Sequence, residues 1–271
     1  MAALYLVATP IGNLEDISLR ALRTLREVRL IAAEDTRRTR KLLAAYDIKT
    51  PLTSYHEHNK RVKMAYILDC LESGDVALVA DAGMPGISDP GYELVVAATG
   101  RGVPIVPVPG ASVVITALVV SGLPTDRFIY LGFLPRRAGS RRQRLESVAG
   151  EEGTIIALET PHRLEAALDD ILSVLGDRRV AVCRELTKVH EEVFRGVVSE
   201  ARAHFTQPRG EFTLVIAGRG EAEAPRLTED IEQHLGELRR SGASAREAVA
   251  RVAEETGLSR RELYRAWLRL G

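Results

Sequence analysis

The chain has 271 residues, long enough to bury a full core and to hold two α/β domains with a tail, and its 37 Lys and Arg balance 37 Asp and Glu. Zero net charge excludes a molecule-wide field that gathers nucleic acid, so any basic surface has to be local. Its two cysteines, Cys70 and Cys183, stand far apart inside apolar runs and read as small buried hydrophobes, which excludes a disulfide framework.

The N-terminus begins at once with a strand pattern, Leu4 to Ala8, and no apolar run approaches membrane-spanning length. A cytoplasmic protein with no membrane contact is the expectation. Thr9-Pro-Ile-Gly-Asn13 breaks the strand before the helical pattern Ala21, Leu22, Leu25, Val28 begins. Leu30 to Ala33 reads as the next strand, followed by Glu34 to Lys41 at the start of a helix. Residues 20–41 carry eight basic and three acidic side chains. That is a solvated face or a local basic surface, with Arg37 a candidate substrate contact. Glu34 and Asp35 stand where strand becomes helix, and a carboxylate there can act as a base or orient a hydroxyl.

Ser54-Tyr-His-Glu-His-Asn59 is a polar cluster at a strand end. His56 and His58 differ by two, which is strand alternation and not the i, i+4 spacing of a helical zinc pair, so no metal is expected. His56 and Glu57 are candidates for proton transfer and Asn59 for substrate contact, against the plain alternative of exposed loop polars. A helix over 60–73 leads to the apolar run Val76 to Ala80.

That run ends in Asp81-Ala-Gly-Met-Pro-Gly-Ile-Ser-Asp-Pro-Gly91 before a helical segment from Glu93. A buried strand entering three glycines and two prolines must turn sharply and expose its backbone. In α/β chains ligands sit at such carboxyl ends. No Lys-Ser/Thr pair closes the loop as a P-loop requires, and Pro85 stands where a Rossmann pattern wants its second glycine. The loop therefore suits a ligand that is uncharged or cationic where it touches. In a parallel sheet, residues 9–13 and 81–91 are able to wall one pocket.

Gly102 to Gly110 alternates apolar residues with proline, as an edge strand followed by a linker does. A helix starts after it with Ser112 as N-cap, and the domain boundary falls here: 1–110, 111–221 and a helical tail, 222–271. In the second half, strands are expected at Arg127 to Leu134, Thr154 to Leu158, Arg178 to Leu186, Val193 to Val198 and Glu211 to Ala217. Arg136 to Arg144 holds five arginines in nine residues. Arginine's fork matches phosphate geometry, so Arg136, Arg137, Arg141 and Arg142 are candidate phosphate contacts; a solvated loop is the alternative. In the tail, Ser244 to Glu247 and Ser259 to Glu262 are capping boxes flanking a glycine turn, as in a helix-turn-helix. Arg261, Arg265 and Arg269 share one helical face opposite Leu263, Trp267 and Leu270, so Arg261 and Arg265 are further candidate phosphate contacts. A small helical cap that docks on the body is the other reading.

Six stretches taken together carry a resemblance: Leu6 to Ser18, Ala32 to Arg37, Ser54 to Asn59, Asp81 to Tyr92, Pro107 to Ser112 and Ser121 to Phe128. In that order they resemble the tetrapyrrole methylase-like (class III) methyltransferases, in the branch that acts on small-subunit ribosomal RNA. The resemblance spans about Leu4 to Gly218. It implies a two-domain α/β fold with a cofactor cleft between the domains, S-adenosylmethionine as cofactor, and a homodimer. The implied reaction is 2′-O-methylation of a cytidine ribose in the decoding region, on free ribosomal RNA or an assembled small subunit. By position, Pro10, Ile11, Gly12, Asp81, Gly83, Met84, Ile87, Ser112, Val113, Leu158, Glu159 and Ala217 should contact the cofactor. Met84 departs from the pattern, where threonine is expected; a main-chain contact survives that change. Asp35, His56 and Glu57 are the candidate catalysts. The rival readings are a methyltransferase for a tetrapyrrole or other small molecule, and a non-catalytic RNA-binding assembly factor.

Overall fold

A computed structural model describes residues 2–220, 229–256 and 258–269. Gly257, Leu270 and the Glu262 side chain, which figure in the tail expectations, lie outside the described residues. Residues 1–217 form one compact unit and 218–271 another.

The first unit begins with β1 (Leu4–Val7), α1 (Leu19–Glu27), β2 (Leu30–Ala33), α2 (Thr36–Ala45), β3 (Leu52–Ser54), α3 (Lys60–Leu71), β4 (Val76–Val79), α4 (Tyr92–Gly100) and β5 (Ile105–Val108). These strands make one parallel sheet in the order β3-β2-β4-β1-β5. Helices cover both faces of such a sheet, so its inner strands must be apolar throughout. Every residue of β2 and β4 is indeed buried. The edge falls to β5, where Pro107 lacks the N–H an inner strand would need.

The chain continues through α5 (Val113–Ser121), β6 (Phe128–Phe133), α6 (Ala138–Glu146), β7 (Thr154–Glu159), α7 (Pro161–Leu175), β8 (Arg179–Arg184), β9 (Glu192–Val197), α8 (Val198–His204) and β10 (Phe212–Ile216). Its sheet runs β6-β7-β10-β8-β9, with β6 and β7 parallel and the remaining pairs antiparallel. Ser112 caps α5 as expected, its hydroxyl accepting the Ile115 N–H at 3.5 Å. The arginine-rich segment is a helix and not a solvated loop. Arg141 and Leu145, one turn apart, are its buried residues and face inward.

The second unit holds α9 (Glu229–Arg240), α10 (Ala245–Thr256) and α11 (Arg260–Arg269) around Leu235, Val252, Leu263 and Trp267. Ser244 and Glu247 close the expected capping box, with N–H bonds of 3.1 and 3.3 Å in the two directions. Arg261 and Arg265 are exposed, while Arg269 pairs with Glu232 at 3.4 Å. No helix among the described residues is long and apolar enough to cross a membrane.

Candidate active site

The sheet order sets β1 beside β4, so their carboxyl ends emerge together. Thr9 and Gly83 then exchange main-chain hydrogen bonds of 2.9 and 3.0 Å, and the Thr9 hydroxyl donates to the Ala80 carbonyl at 3.2 Å. The two glycine-bearing turns are thus stitched into one floor. Gly83 sits at φ +80°, where a side chain is strained, and a Cβ there would stand 3.5 Å from the Ala111 carbonyl. Gly12 is required for another reason. A Cβ on it would come within 2.6 Å of Lys188 Cγ and Thr187 Oγ1 and 2.9 Å of the Leu186 carbonyl. Gly12→Ala is therefore expected to cost about 1–3 kcal/mol of unfolding free energy, read from urea denaturation, because the 186–188 backbone must shift.

Above this floor lies a cavity of about 280 Å³ between the two sheets. Ile11, Gly83, Met84, Ile87, Ser112 and Val113 line it from one side, and Phe133, Leu158, Glu159 and Phe212 from the other. Ser88, held at φ +64°, meets the Tyr130 hydroxyl of β6 at 2.8 Å, a hydrogen bond across the cleft. Burial raises the Tyr130 pKa above its ordinary value.

Three carboxylates crowd one end of the cavity. Asp81 accepts the Asp35 N–H at 2.9 Å and faces Arg38 Nη1 at 3.3 Å. Glu34 and Asp89 stand close enough to act on each other's proton affinity. Burial, then the charges of Glu34 and Asp81, push the Asp89 carboxyl up to about 7. Burial raises Glu34 as well. A carboxyl pair in this state takes up or releases one proton near neutrality. Opposite stands Glu159, fully buried. Its Oε1 accepts from the Thr160 N–H at 2.7 Å and Arg163 Nη2 at 2.6 Å, and its Oε2 has no hydrogen-bond partner among the described residues. Burial outweighs Arg163 and raises this carboxyl too.

Several residues expected at the site lie elsewhere in the structure. Asp35 lies outside the cavity because it caps α2. It accepts the Arg37 N–H at 2.8 Å and grips the Arg37 guanidinium at 3.1 and 2.8 Å. Those bonds hold its carboxyl well below the usual range, which makes it a poor base, and they occupy Arg37, which likewise does not line the cavity. His56, Glu57 and Asn59 also lie off the cavity. Asn59 Oδ1 accepts the His56 N–H at 2.8 Å and Asn59 Nδ2 donates to Ser54 Oγ at 2.8 Å, so this cluster shapes a turn. Glu57 pairs with Lys60 at 2.9 Å.

Pro10 and Gly12 border a neighbouring chamber and not this cavity, whereas Ile11 borders both. Ala217 is fully buried in the core, with its N–H bonded to the Arg179 carbonyl. Arg141, expected on RNA, is only 5% exposed and ion-paired to Asp170 at 2.6 Å. Its Nη1 donates to the carbonyls of Pro135 and Arg136, and its Nη2 also donates to that of Ala166. It is a strut under the turn that carries Arg136 and Arg137, which are exposed. Arg142 is exposed but bonded through Nε to Asp170 at 2.8 Å.

Sequence reasoning offered Glu34 beside Asp35 as a possible base and marked the loop holding Asp89, but carried neither Glu34 nor Asp89 into the set of candidate catalysts. Tyr130, Phe133, Thr160, Phe212 and Thr213 were missed outright, since nothing separates a cavity-facing strand residue from a core one until the second sheet is placed.

The sequence profile described as Tetrapyrrole (Corrin/Porphyrin) Methylases matches residues 3–202, and that of the RsmI C-terminal HTH domain matches 226–271. A Halalkalibacterium halodurans protein named ribosomal RNA small subunit methyltransferase I is 50% identical over 269 residues, 96% of this chain and 93% of its own. A Thermotoga maritima protein of the same name is 52% identical over its whole length but over 81% of this chain. Among solved structures, uroporphyrin-III C-methyltransferase from Thermus thermophilus, complexed with S-adenyl homocysteine, superimposes with a TM-score of 0.57 at 20% identity. That match covers 80% of this chain and 97% of that one. With the fold shared and the profile covering most of the sequence, the chain belongs to the tetrapyrrole (corrin/porphyrin) methylase family.

Proposed function

We propose that the protein methylates small-subunit ribosomal RNA with S-adenosylmethionine, at the ribose 2′-hydroxyl of a cytidine in the decoding region. The cavity between the sheets carries the reading. It joins apolar walls, a carboxylate end suited to a cationic ligand, and the unpaired Glu159 Oε2, which awaits an N–H or O–H donor. When bound, S-adenosylmethionine supplies a methyl group on a sulfonium. Ile11, Met84, Val113 and Leu158 enclose such a ligand, and the turn from Asp81 to Gly83 offers it main-chain contacts.

The attacking oxygen must lie in line with the methyl carbon, and positioning alone favours such a reaction by roughly 7–11 kcal/mol. The Glu34–Asp89 pair would take up the proton that the ribose hydroxyl gives up as its oxygen bonds to the methyl carbon and the bond from that carbon to sulfur breaks. Exposed Arg136 and Arg137, a few residues beyond cavity-lining Phe133, are positioned for RNA phosphates, and exposed Arg261 and Arg265 extend that role in the helical unit. The relatives' names support ribosomal RNA as substrate. A cytoplasmic homodimer completes the proposal. Ile115 and Val119, one turn apart on α5, and Tyr92 and Val96 on α4 are exposed apolar residues that a second copy would cover.

The test uses methyl-labelled cofactor with small subunits lacking the modification, followed by nuclease mapping. Label on a cytidine 2′-oxygen is the expected result. Label on a base, or on a tetrapyrrole while the subunit stays unlabelled, would overturn it.

A further inference from the structure

Beside the cavity is a second chamber of about 220 Å³. Pro10 and Gly12 form one side, Arg38 and Lys41 of α2 another, and Lys188 and Glu211 the third. It meets the first cavity along Ile11, Arg38, Asp81, Ala82 and Glu211, so a group resting on that common wall reaches both spaces.

We propose that this second chamber holds the 3′-phosphodiester of the nucleotide being methylated, an assignment that rests on the ribosomal RNA reading above. The argument starts from ribose geometry. The 2′ and 3′ oxygens sit on adjacent ring carbons, so a ribose whose 2′-hydroxyl points at the Glu34–Asp89 end carries its 3′-phosphate only a few ångströms away. The Glu34–Asp89 end of the first cavity repels an anion, whereas the adjoining space adds Lys41 and Lys188 to the Arg38, Asp81 and Glu211 that both spaces share.

Their pairing separates their roles. Arg38 Nη1 lies 3.3 Å from Asp81 Oδ2, and Lys188 Nζ lies 2.8 Å from Glu185 and 3.0 Å from Glu211. Both charges are partly answered within the protein. Lys41, three residues beyond Arg38 and therefore on the same face of α2, is exposed and has no ion-pair partner among the described residues. It is the cation left for the ligand. Lys188 is brought to the chamber by a turn in which Glu185 and Thr187 adopt φ of +49° and +66°. Non-glycine residues hold such angles only where their surroundings impose them. Gly12, pressed against that turn, and the bond from the Asn13 N–H to Thr187 Oγ1 at 3.0 Å supply the constraint.

The experiment measures methylation of unmodified small subunits by the full chain across a potassium chloride series. Lys41→Ala should raise KM for the subunit about tenfold and flatten the dependence of log KM on log salt by about 0.7, the share of one single-strand phosphate contact. Cofactor affinity, measured by calorimetry, should not change. Lys41→Arg should restore both KM and slope. Lys49→Ala, which removes an exposed lysine that faces Asp47 at 3.6 Å and borders neither space, should match the wild type. If Lys41→Ala keeps the wild-type KM and slope, or Lys49→Ala loses as much, the chamber assignment falls while the ribosomal reading stands. A wild-type protein that leaves the subunit unlabelled overturns both.

Discussion

Asp89→Asn is expected to slow single-turnover methyl transfer by about 10²–10⁴-fold, the usual range for losing a positioned proton acceptor. Cofactor affinity should stay within about threefold, because the same wall keeps Asp81 and its apolar lining. The pH profile provides the sharper test. A base works when unprotonated, and Asp89 is pushed up to about 7, so the wild-type rate should climb as pH rises through about 7 and then level off. The variant should lose that limb. Stability moves the opposite way. With the folded value above the ordinary 3.8, Asp89 favours folding fully below that value. The contribution is lost as pH rises through about 7. Unfolding curves of the unliganded protein at several pH values should therefore flatten in Asp89→Asn. A variant with wild-type rate and profile would mean that the proton leaves directly to water.

The largest effect on stability is expected at Asp170, which lies 28 and 29 residues from the arginines it holds. Its carboxylate is 8% exposed and takes Arg141 Nε at 2.7 Å and Arg142 Nε at 2.8 Å. Asp170→Ala strands a guanidinium that is 5% exposed and should cost about 3–5 kcal/mol in urea denaturation. Replacing both partners, Arg141→Met with Asp170→Leu, removes the stranded charge along with the pair and should recover most of that loss. The double variant would still lack the bonds from Arg141 to the Pro135 and Arg136 carbonyls, so weaker RNA affinity should persist after stability returns. Equal losses in the single and double variants would show that the buried charge is not what matters.

These two cases also mark what the sequence can disclose. The inner strands β2 and β4 were legible because burial on both faces leaves unbroken apolar runs, and Pro107 marked the edge. The meeting of residues 9–13 with 81–91 followed from two strand ends breaking alike in a parallel sheet. Arg141 was not legible. Five arginines look equivalent until α7 brings Asp170 beneath one of them. Asp35 and Asp89 are both carboxylates after strands, but Asp35 stands one residue before α2, where an aspartate is a natural cap. Giving that local role its weight would have turned attention to Glu34. Tyr130 and Phe212 carry no local mark at all, since a strand residue facing a cleft obeys the same alternation as one facing a core.

Because Thr9 and Gly83 are joined main chain to main chain, the base of the cleft owes its contour to peptide groups that every residue possesses. Substitutions above it, such as methionine at position 84, change the lining and leave the platform alone. A scaffold of that kind keeps its base while the side chains that line the space above it are exchanged.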